Sequence, residues 1–318
     1  MPELRHDPIT GCWVIIAENR AMRPNAFTLP ATSAAPDCPF CFGQEAKTPA
    51  PTAIYPSDSH NGAWRVRVFP NKYPAVTSDE TNAEAPTAYG RHEVIVESPD
   101  HLVSFSEVAE QDARLAFRAY QERLRAMHMD ARLAFGLIFK NARPEGGASL
   151  EHTHSQLLAC ETVPPQNQFE LARAGEYRAL HGQCMFCEVM ARELEGHRLV
   201  GTSEHFVALC PYASRFPYET WILPKTHRAS FEEASAAELH ELAELTQKII
   251  RRLETRFEAP AYNFWIRTAP FNLAAEDDYH WHLEWTPRMT RLAGFELATG
   301  CFINPVSPEQ AAEWLRWG

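Results

Sequence analysis

The stretch His152-Thr-His154-Ser-Gln156 returns later in the chain as His280-Trp-His282-Leu-Glu284. A further histidine, preceded by a strand-like run and a proline, lies upstream of each stretch: His101 is 51 residues before His152, and His227 is 53 residues before His280. A C-x-x-C pair comes earlier still in each half. Agreement in order and in spacing predicts two copies of one structural unit.

Each copy contains an amphipathic helix between its upstream histidine and its histidine pair. In the first copy, apolar residues recur at steps of four and three: Ala113, Phe117, Tyr120, Leu124 and Met127. In the second copy, Ser235 and Glu238 form a capping box before Leu239, Leu242, Leu245, Ile249 and Leu253. Strands are expected at 132–141 and 262–268. The sequence therefore predicts an α+β protein with repeats at 1–165 and 166–318, joined by a polar crossover within 161–183.

Each copy also supplies two thiols and two imidazoles in the same order. Two sulfurs from one turn and two nitrogens from elsewhere suit tetrahedral Zn²⁺, and four protein ligands leave no open position for chemistry. We expect two structural zinc ions per chain, although the ligand types also allow iron in one site. A redox dithiol is the alternative for each cysteine pair, and the histidines alone could be ordinary core or surface residues. The predicted ligand sets are Cys38, Cys41, His101 and His152, and Cys184, Cys187, His227 and His280.

His154 is left over from the first ligand set. In an extended segment it lies on the same face as His152, so a metal on His152 would hold the neighbouring imidazole nearly fixed. Such an imidazole suits nucleophilic attack on phosphorus, and Gln156 on that face could donate its amide to phosphate oxygens. Gly146 and Gly147 would let backbone N–H groups approach phosphate. The alternative is that His154 is a metal ligand itself.

Composition limits the partners of this protein. The 318 residues include 30 basic and 41 acidic side chains, for a formal net charge of −11. This charge argues against a sequence-blind nucleic-acid binder, which needs a basic face, but allows a nucleotide ligand. No apolar run approaches the roughly 20 residues of a membrane span, and the first residues are not those of a signal segment. We therefore expect a soluble, cytoplasmic protein.

The H-x-H-x-Q run resembles the histidine-triad superfamily of nucleotidyl hydrolases and transferases. The doubled arrangement of cysteine and histidine pairs is similar to the galactose-1-phosphate uridylyltransferase family within it. The opening segment, His6–Pro24, resembles the first strand of that family and its Arg-x-x-Arg-Pro motif at Arg20 and Arg23. Phe69-Pro-Asn71-Lys-Tyr73-Pro-Ala75 resembles the segment that contacts the nucleoside. The resemblance extends over essentially the whole chain.

This resemblance implies two histidine-triad-like repeats, each a mostly antiparallel sheet with a packed helix, related by a pseudo-twofold axis. It also implies a ping-pong reaction in which His154 takes a nucleoside monophosphate from UDP-glucose and passes it to galactose 1-phosphate. Family members are commonly homodimers with sites completed across the interface. The implied substrate contacts are Arg20, Arg23, Asn141, Ser149 and Gln156 for phosphates, Asn71 and Tyr73 for base and ribose, and Glu296 in the Gly-aromatic-Glu of the tail.

Two departures leave the substrates open. The tail after Glu296 and the second C-x-x-C look more like the ADP-glucose phosphorylase variant, which would return the nucleotide to inorganic phosphate. A nucleotide hydrolase and a zinc-stabilised nucleotide-binding protein are further alternatives. In the second copy, Glu284 takes the place of Gln156, and an ionised carboxylate there would repel phosphate. We therefore interpret the second copy as a degenerate one, kept for metal and packing.

Overall fold

Ten strands form one continuous antiparallel sheet. The computed structural model describes residues 3–16, 37–56, 64–78, 88–273 and 277–317. Its strands are β3 (Ala53–Pro56), β4 (Trp64–Pro70), β5 (Gly90–Val96), β6 (Phe135–Ala142), β7 (His154–Cys160), β8 (Leu199–Thr202), β9 (Phe206–Leu209), β10 (Thr220–Pro224), β11 (Tyr262–Arg267) and β12 (His282–Pro287). Their order in the sheet is β3-β4-β5-β7-β6-β11-β12-β10-β9-β8.

The two halves of this sheet have equivalent strand orders. Five strands of each half follow the same sequence outward from the centre, where β6 pairs with β11 in antiparallel fashion. At that joint Phe264 lies opposite Lys140 and Asn263 opposite Asn141. The α+β fold with two related halves is confirmed, and the two predicted sheets turn out to be one, because their central strands pair with each other.

Each predicted amphipathic helix packs on the same sheet and against its counterpart. α1 spans Glu110–His128 and α4 spans Ala236–Glu254. The Ser235 hydroxyl accepts a bond from the Glu238 N–H, 3.2 Å away, so the predicted capping box is present. The rings of Phe117 on α1 and Phe264 on β11 stack at 6.4 Å, which joins the halves through one apolar core.

The polar crossover contains a helix that the sequence did not predict. α2 spans Pro165–His181 and ends at Gly182, whose φ of 74° lies in the left-handed region that favours glycine. α3 (Met185–Glu193) follows at once, with Cys184 as its N-cap. α2 buries few apolar side chains, so its sequence carries little of the 3.6-residue periodicity by which the other helices were recognised.

A second, three-stranded sheet joins the two ends of the described chain. Its strands are β1 (Glu3–His6), β2 (Trp13–Ile16) and β13 (Phe302–Asn304), with β2 and β13 parallel. Two short helices, α5 (Gly294–Thr299) and α6 (Pro308–Leu315), flank β13. Within the described ranges, no helix has the length and apolar character needed to cross a membrane.

Candidate active site and metal centres

The first predicted ligand set comes together beside the start of β7. The Cys38–Cys41 turn lies against the loop that follows β5, where the Phe42 N–H donates to the Pro99 carbonyl at 2.9 Å. Nδ1 of His152 lies 3.5 and 3.6 Å from the sulfurs of Cys38 and Cys41. Nδ1 of His101 lies 3.4 Å from the Cys41 sulfur.

The second set repeats this geometry at the start of α3. Nδ1 of His227 lies 3.3 Å from the Cys187 sulfur, and Nδ1 of His280 lies 3.4 Å from the same atom. In both halves the other ring nitrogen of the buried histidine faces a backbone carbonyl: Ser98 for His152 at 2.9 Å, and Pro224 for His280 at 2.8 Å. A carbonyl partner fixes the proton on Nε2 and leaves the Nδ1 lone pair for a metal.

Both sets fit a tetrahedral zinc ion. Bonds of about 2.3 Å to sulfur and about 2.0–2.1 Å to nitrogen place neighbouring ligand atoms roughly 3.5 Å apart, close to the separations found here. In each set the four ligand atoms all lie within 4.8 Å of one another. The chain therefore has two Cys/His groups that could hold a metal, and their donors are compatible with zinc.

His154 is not part of the first ligand set, and its ring is anchored by the backbone of His152. Its Nδ1 lies 2.7 Å from the carbonyl of His152, so Nδ1 carries the proton and Nε2 is the ring nitrogen able to attack. The ring is 6% exposed and packs against Phe40 at 5.1 Å, and Phe40 also contacts the ring of His152. Burial, and then the charge of Lys140, lower the pKa of His154 to about 4, which keeps the ring neutral near pH 7.

A buried ion pair supports the strand that carries His154. On the α1 side of the sheet, Lys140 Nζ donates to Glu97 Oε2 at 2.5 Å and to the His154 carbonyl at 3.0 Å. Thr153, which stands between the two histidines, donates its hydroxyl to Glu97 at 2.6 Å. Ser155 and Tyr120 hydroxyls also donate to this carboxylate. Burial opposes ionisation of Glu97, but Lys140 and these donors outweigh it and lower its pKa.

Gln156 lies on the opposite face, the same one as His154. Its Oε1 is 2.9 Å from Nε2 of His92, and Nδ2 of Asn71 is 3.5 Å from the same oxygen. Tyr73 is 82% exposed, so its ring is open to a ligand beside this group. The structure thus brings Gln156, Asn71 and His154 to one face of β7 and its neighbours, with Tyr73 at the edge.

Asn141 is held at the joint between the halves. It directly follows Lys140, which lies opposite Ser155 in the pairing of β6 with β7. Nδ2 of Asn263, on β11, donates to Oδ1 of Asn141 at 2.8 Å, so the Asn141 amide nitrogen is left to donate elsewhere. The second half therefore orients a predicted phosphate contact of the first half.

The glycine loop after β6 does not have the predicted role. The N–H of Gly146 donates to the Arg143 carbonyl at 3.1 Å, and that of Gly147 donates to the Pro144 carbonyl at 2.9 Å. Both donors are used inside the turn, so they are not available to phosphate in this conformation. Gly147 is needed for its φ of 88°, a left-handed conformation that costs other residues energy.

The structure does not bring the remaining predicted substrate contacts together with His154 and Gln156. Ser149 is exposed in the loop before His152. Glu296 lies in the first turn of α5, where its carboxylate accepts from the Ala293 N–H at 3.1 Å, and no hydrogen bond of the described chain joins it to β7. Arg20 and Arg23 lie outside the described residues.

In the second half, a histidine is kept at the position equivalent to His154, but a charged residue replaces Gln156. His282 repeats the backbone anchor, with Nδ1 3.0 Å from the His280 carbonyl. Glu284 accepts from Arg267 at 2.7 Å and from Arg215 at 2.5 Å; Glu284 and Arg267 are buried, and Arg215 is slightly exposed. Burial opposes ionisation of Glu284, but the two guanidinium groups hold its pKa well below the usual range. Both oxygens of this carboxylate are already paired with arginines, and its negative charge would repel a phosphate. This position is therefore unsuited to binding phosphate.

Sequence reasoning missed four residues of this site: His92, Lys140, Glu97 and Asn263. Two of them leave a weak signal in the sequence: Lys140 interrupts an apolar strand and Glu97 directly follows one, and buried charges require partners. Asn263 has no such signal, because its role depends on the pairing of β6 with β11.

The two related halves each match a domain model of one transferase family. Models of the galactose-1-phosphate uridyl transferase family match the chain, the N-terminal domain at residues 1–164 and the C-terminal domain at 170–316. The chain belongs to this family.

Named relatives divide between two activities. The chain is 33% identical to ADP-glucose phosphorylase of Arabidopsis thaliana, over 99% of this chain and 92% of that protein. It is 29% identical to galactose-1-phosphate uridylyltransferase of Thermotoga maritima, over 99% and 98%. Among solved structures, an ADP-glucose phosphorylase from Arabidopsis thaliana with bound ADP-glucose matches with a TM-score of 0.89 and 32% identity, covering 100% of this chain and 99% of that one. A uridylyltransferase structure matches with a TM-score of 0.77 and 27% identity, covering 99% and 97%.

Proposed function

We propose that this protein moves a nucleoside monophosphate from a nucleotide sugar to an anionic phosphate acceptor, through a covalent nucleotidyl-His154 intermediate. The observation that carries the proposal is the anchoring of His154, whose Nδ1 is held by the His152 carbonyl while its ring stays outside the metal set. A protein that only binds nucleotides needs no nucleophile of this kind.

The reaction has two balanced steps. Nε2 of His154 attacks the α-phosphorus, the bond from that phosphorus to the bridging oxygen breaks, and hexose 1-phosphate leaves. The ring then carries a positive charge, which the His152 carbonyl stabilises through the Nδ1 proton. An oxygen of the acceptor phosphate attacks next, the P–N bond breaks, and the neutral imidazole returns. Splitting the transfer avoids bringing two anionic substrates together.

Other side chains bind the phosphates. The Gln156 and Asn141 amides donate to non-bridging oxygens, and both are oriented by bonds to their own carbonyl oxygens. Arg20, Arg23 and Ser149 complete the phosphate contacts, and Asn71 and Tyr73 bind the nucleoside. Two zinc ions per chain, bound by the two Cys/His sets, have a structural role: the first holds His152 and the Cys38–Cys41 turn against the nucleophile.

We take ADP-glucose as donor and inorganic phosphate as acceptor for the first candidate reaction. The higher identity to ADP-glucose phosphorylase and the TM-score of 0.89 support it. The exchange between UDP-glucose and galactose 1-phosphate, expected from the sequence, is the second candidate, and the named uridylyltransferase relatives support it. Both reactions use the same nucleophile and differ in the base and the acceptor.

A homodimer is part of the proposal, with Glu296 contacting substrate in the partner's site. Phe295 and Leu297, on either side of Glu296, are 47% and 73% exposed, and adjacent exposed apolar residues are typical of an interface. If so, mixing a Glu296→Ala chain with a His154→Gly chain restores activity that neither has alone. Lack of restoration in mixed dimers would place Glu296 outside the site.

The function is tested by a substrate matrix. ADP-glucose and UDP-glucose are each combined with inorganic phosphate, galactose 1-phosphate or water, and initial rates are measured at varied concentrations of both substrates. We expect turnover of ADP-glucose with phosphate, with the parallel double-reciprocal lines of a ping-pong mechanism. Turnover of UDP-glucose with galactose 1-phosphate selects the second candidate. Turnover with water alone would identify a hydrolase, and no turnover at all would contradict the proposal.

A further inference from the structure

We propose that His92 is a positioning residue, which holds the Gln156 side chain with its amide nitrogen turned toward the substrate phosphate. This inference rests on the proposed function, in which that nitrogen donates to the α-phosphate. His92 lies two residues before Val94, which faces Gln156 across the pairing of β5 with β7. Both side chains are therefore on one face of the sheet, one diagonal step apart.

The protonation of His92 follows from a backbone contact. The N–H of Ala75 donates to Nδ1 of His92 at 3.2 Å. A backbone N–H is always a donor, so Nδ1 is the unprotonated nitrogen and the proton is on Nε2. Burial lowers the pKa of His92, which agrees with a neutral ring. Ala75 thus sets the tautomer of His92.

The tautomer of His92 in turn sets the orientation of Gln156. Nε2 of His92 lies 2.9 Å from Oε1 of Gln156, so the ring donates and the amide oxygen accepts. Rotating the amide by 180° would place its NH₂ group against the Nε2 proton. The orientation with the nitrogen away from His92 is therefore the one that is stabilised, and this nitrogen is the donor that a phosphate oxygen requires.

Asn71 also contacts the His92–Gln156 pair. Its Oδ1 accepts from the Tyr73 N–H at 2.9 Å, so its Nδ2 is turned toward the His92–Gln156 pair, 3.3 Å from Nε2 of His92 and 3.5 Å from Oε1 of Gln156. With its proton, Nε2 cannot accept, so Oε1 is the acceptor for Nδ2. The Asn71 N–H also donates to the His92 carbonyl at 2.7 Å. The loop 71–75 therefore supplies both ends of the chain of contacts, Ala75 to the His92 ring and Asn71 to the Gln156 oxygen.

The test is a double-mutant cycle on the first chemical step. His92→Leu removes the ring N–H donor, whereas His92→Gln keeps an N–H donor. Each variant is made alone and combined with Gln156→Ala. His197→Leu, which changes an exposed histidine, is the control. Formation of nucleotidyl-enzyme is followed in a single turnover, with nucleoside monophosphate affinity measured separately. Removing a side chain that donates to the reacting phosphate typically lowers the rate by about 10²–10³-fold. In His92→Leu the Gln156 amide is still present but no longer oriented, so we expect the rate to fall by about 10-fold or more.

His92→Leu is expected to slow the step in the parent chain and to leave affinity nearly unchanged. It is expected to have almost no effect once Gln156 is alanine, and His92→Gln is expected to recover most of the rate. An equal loss in both backgrounds would overturn the inference, because His92 would then act independently of Gln156.

Nitrogen NMR of the resting protein separates this inference from the proposed function. The His92 resonances, assigned by their absence in His92→Leu, should show protonated Nε2 and bare Nδ1, and the Nε2 signal should shift in Gln156→Ala. A proton on Nδ1, or no response to Gln156, would overturn the positioning role. If the parent chain forms no nucleotidyl-enzyme, the proposed function is wrong, and the NMR result alone decides whether His92 orients Gln156.

Discussion

Nδ1 of His154 lies 2.7 Å from the carbonyl oxygen of His152, while the His152 ring turns its own Nδ1 to the cysteine sulfurs. Two histidines, two residues apart on one face, thus have different tasks because their Nδ1 atoms meet different partners. One belongs to a group that could hold a metal, and the other, in the proposed reaction, presents Nε2 as the nucleophile.

The two metal sets are expected to have separable effects. Cys41→Ser should reduce zinc from two ions to one per chain and slow nucleotidyl transfer by about 10-fold or more, because His152 no longer has a fixed position beside His154. Cys187→Ser should also remove one ion but mainly lower the melting temperature. Metal analysis and single-turnover rates on both variants check this. Equal loss of rate in the two variants would show that the first site has no special link to the nucleophile.

Breaking the buried ion pair under the active strand should be costly. Lys140→Met leaves Glu97 charged and without its cation, and we expect a loss of about 3–5 kcal/mol in the free energy of unfolding. The double variant Lys140→Met/Glu97→Gln removes both charges and should recover part of that loss. Denaturant unfolding of the two single variants and the double variant measures the coupling. Strictly additive losses would mean that the two groups do not stabilise each other.

Glu284 is expected to make the free energy of unfolding depend on pH in acidic solution. Its folded-state pKa lies below its unfolded value of about 4.3, so its contribution is fully present above that value and is lost as pH falls through the folded pKa. Glu284→Gln should cost about 3–5 kcal/mol near pH 7, because Arg267, which is buried, and Arg215, which is nearly so, stay charged and lose a shared carboxylate.

The comparison of pH profiles tests this assignment. Below about pH 4.5 the parent chain should lose free energy of unfolding more steeply than Glu284→Gln, while Glu258→Gln, at an exposed carboxylate, should follow the parent. Parallel profiles for the parent and Glu284→Gln would rule out a depressed pKa at this carboxyl.

The parts of the structure that sequence could predict are those that repeat or are periodic. The helix residues Phe117 and Leu242 are buried as expected, and His101 and His227 lie beside the cysteine pairs that their matched spacing indicated. The predicted division at 165 and 166 stays a prediction, as do the substrate contacts.

What could not be predicted depends on contacts between distant segments. Asn263 orients Asn141 only because β6 pairs with β11, and His92 reaches Gln156 only because β5 pairs with β7. α2 was missed because its sequence is polar on most sides. The glycine turn was misinterpreted because the sequence does not show that its N–H groups bond within the turn.

The central claim is most directly tested by locating the covalent bond. The protein is mixed with nucleotide sugar labelled at the α-phosphorus, with no acceptor, then denatured and digested. We expect acid-labile, base-stable label on the peptide that contains His154, and none in His154→Gly, which should still hold two metal ions per chain. Label on another residue, or loss of a metal ion in His154→Gly, would contradict the account.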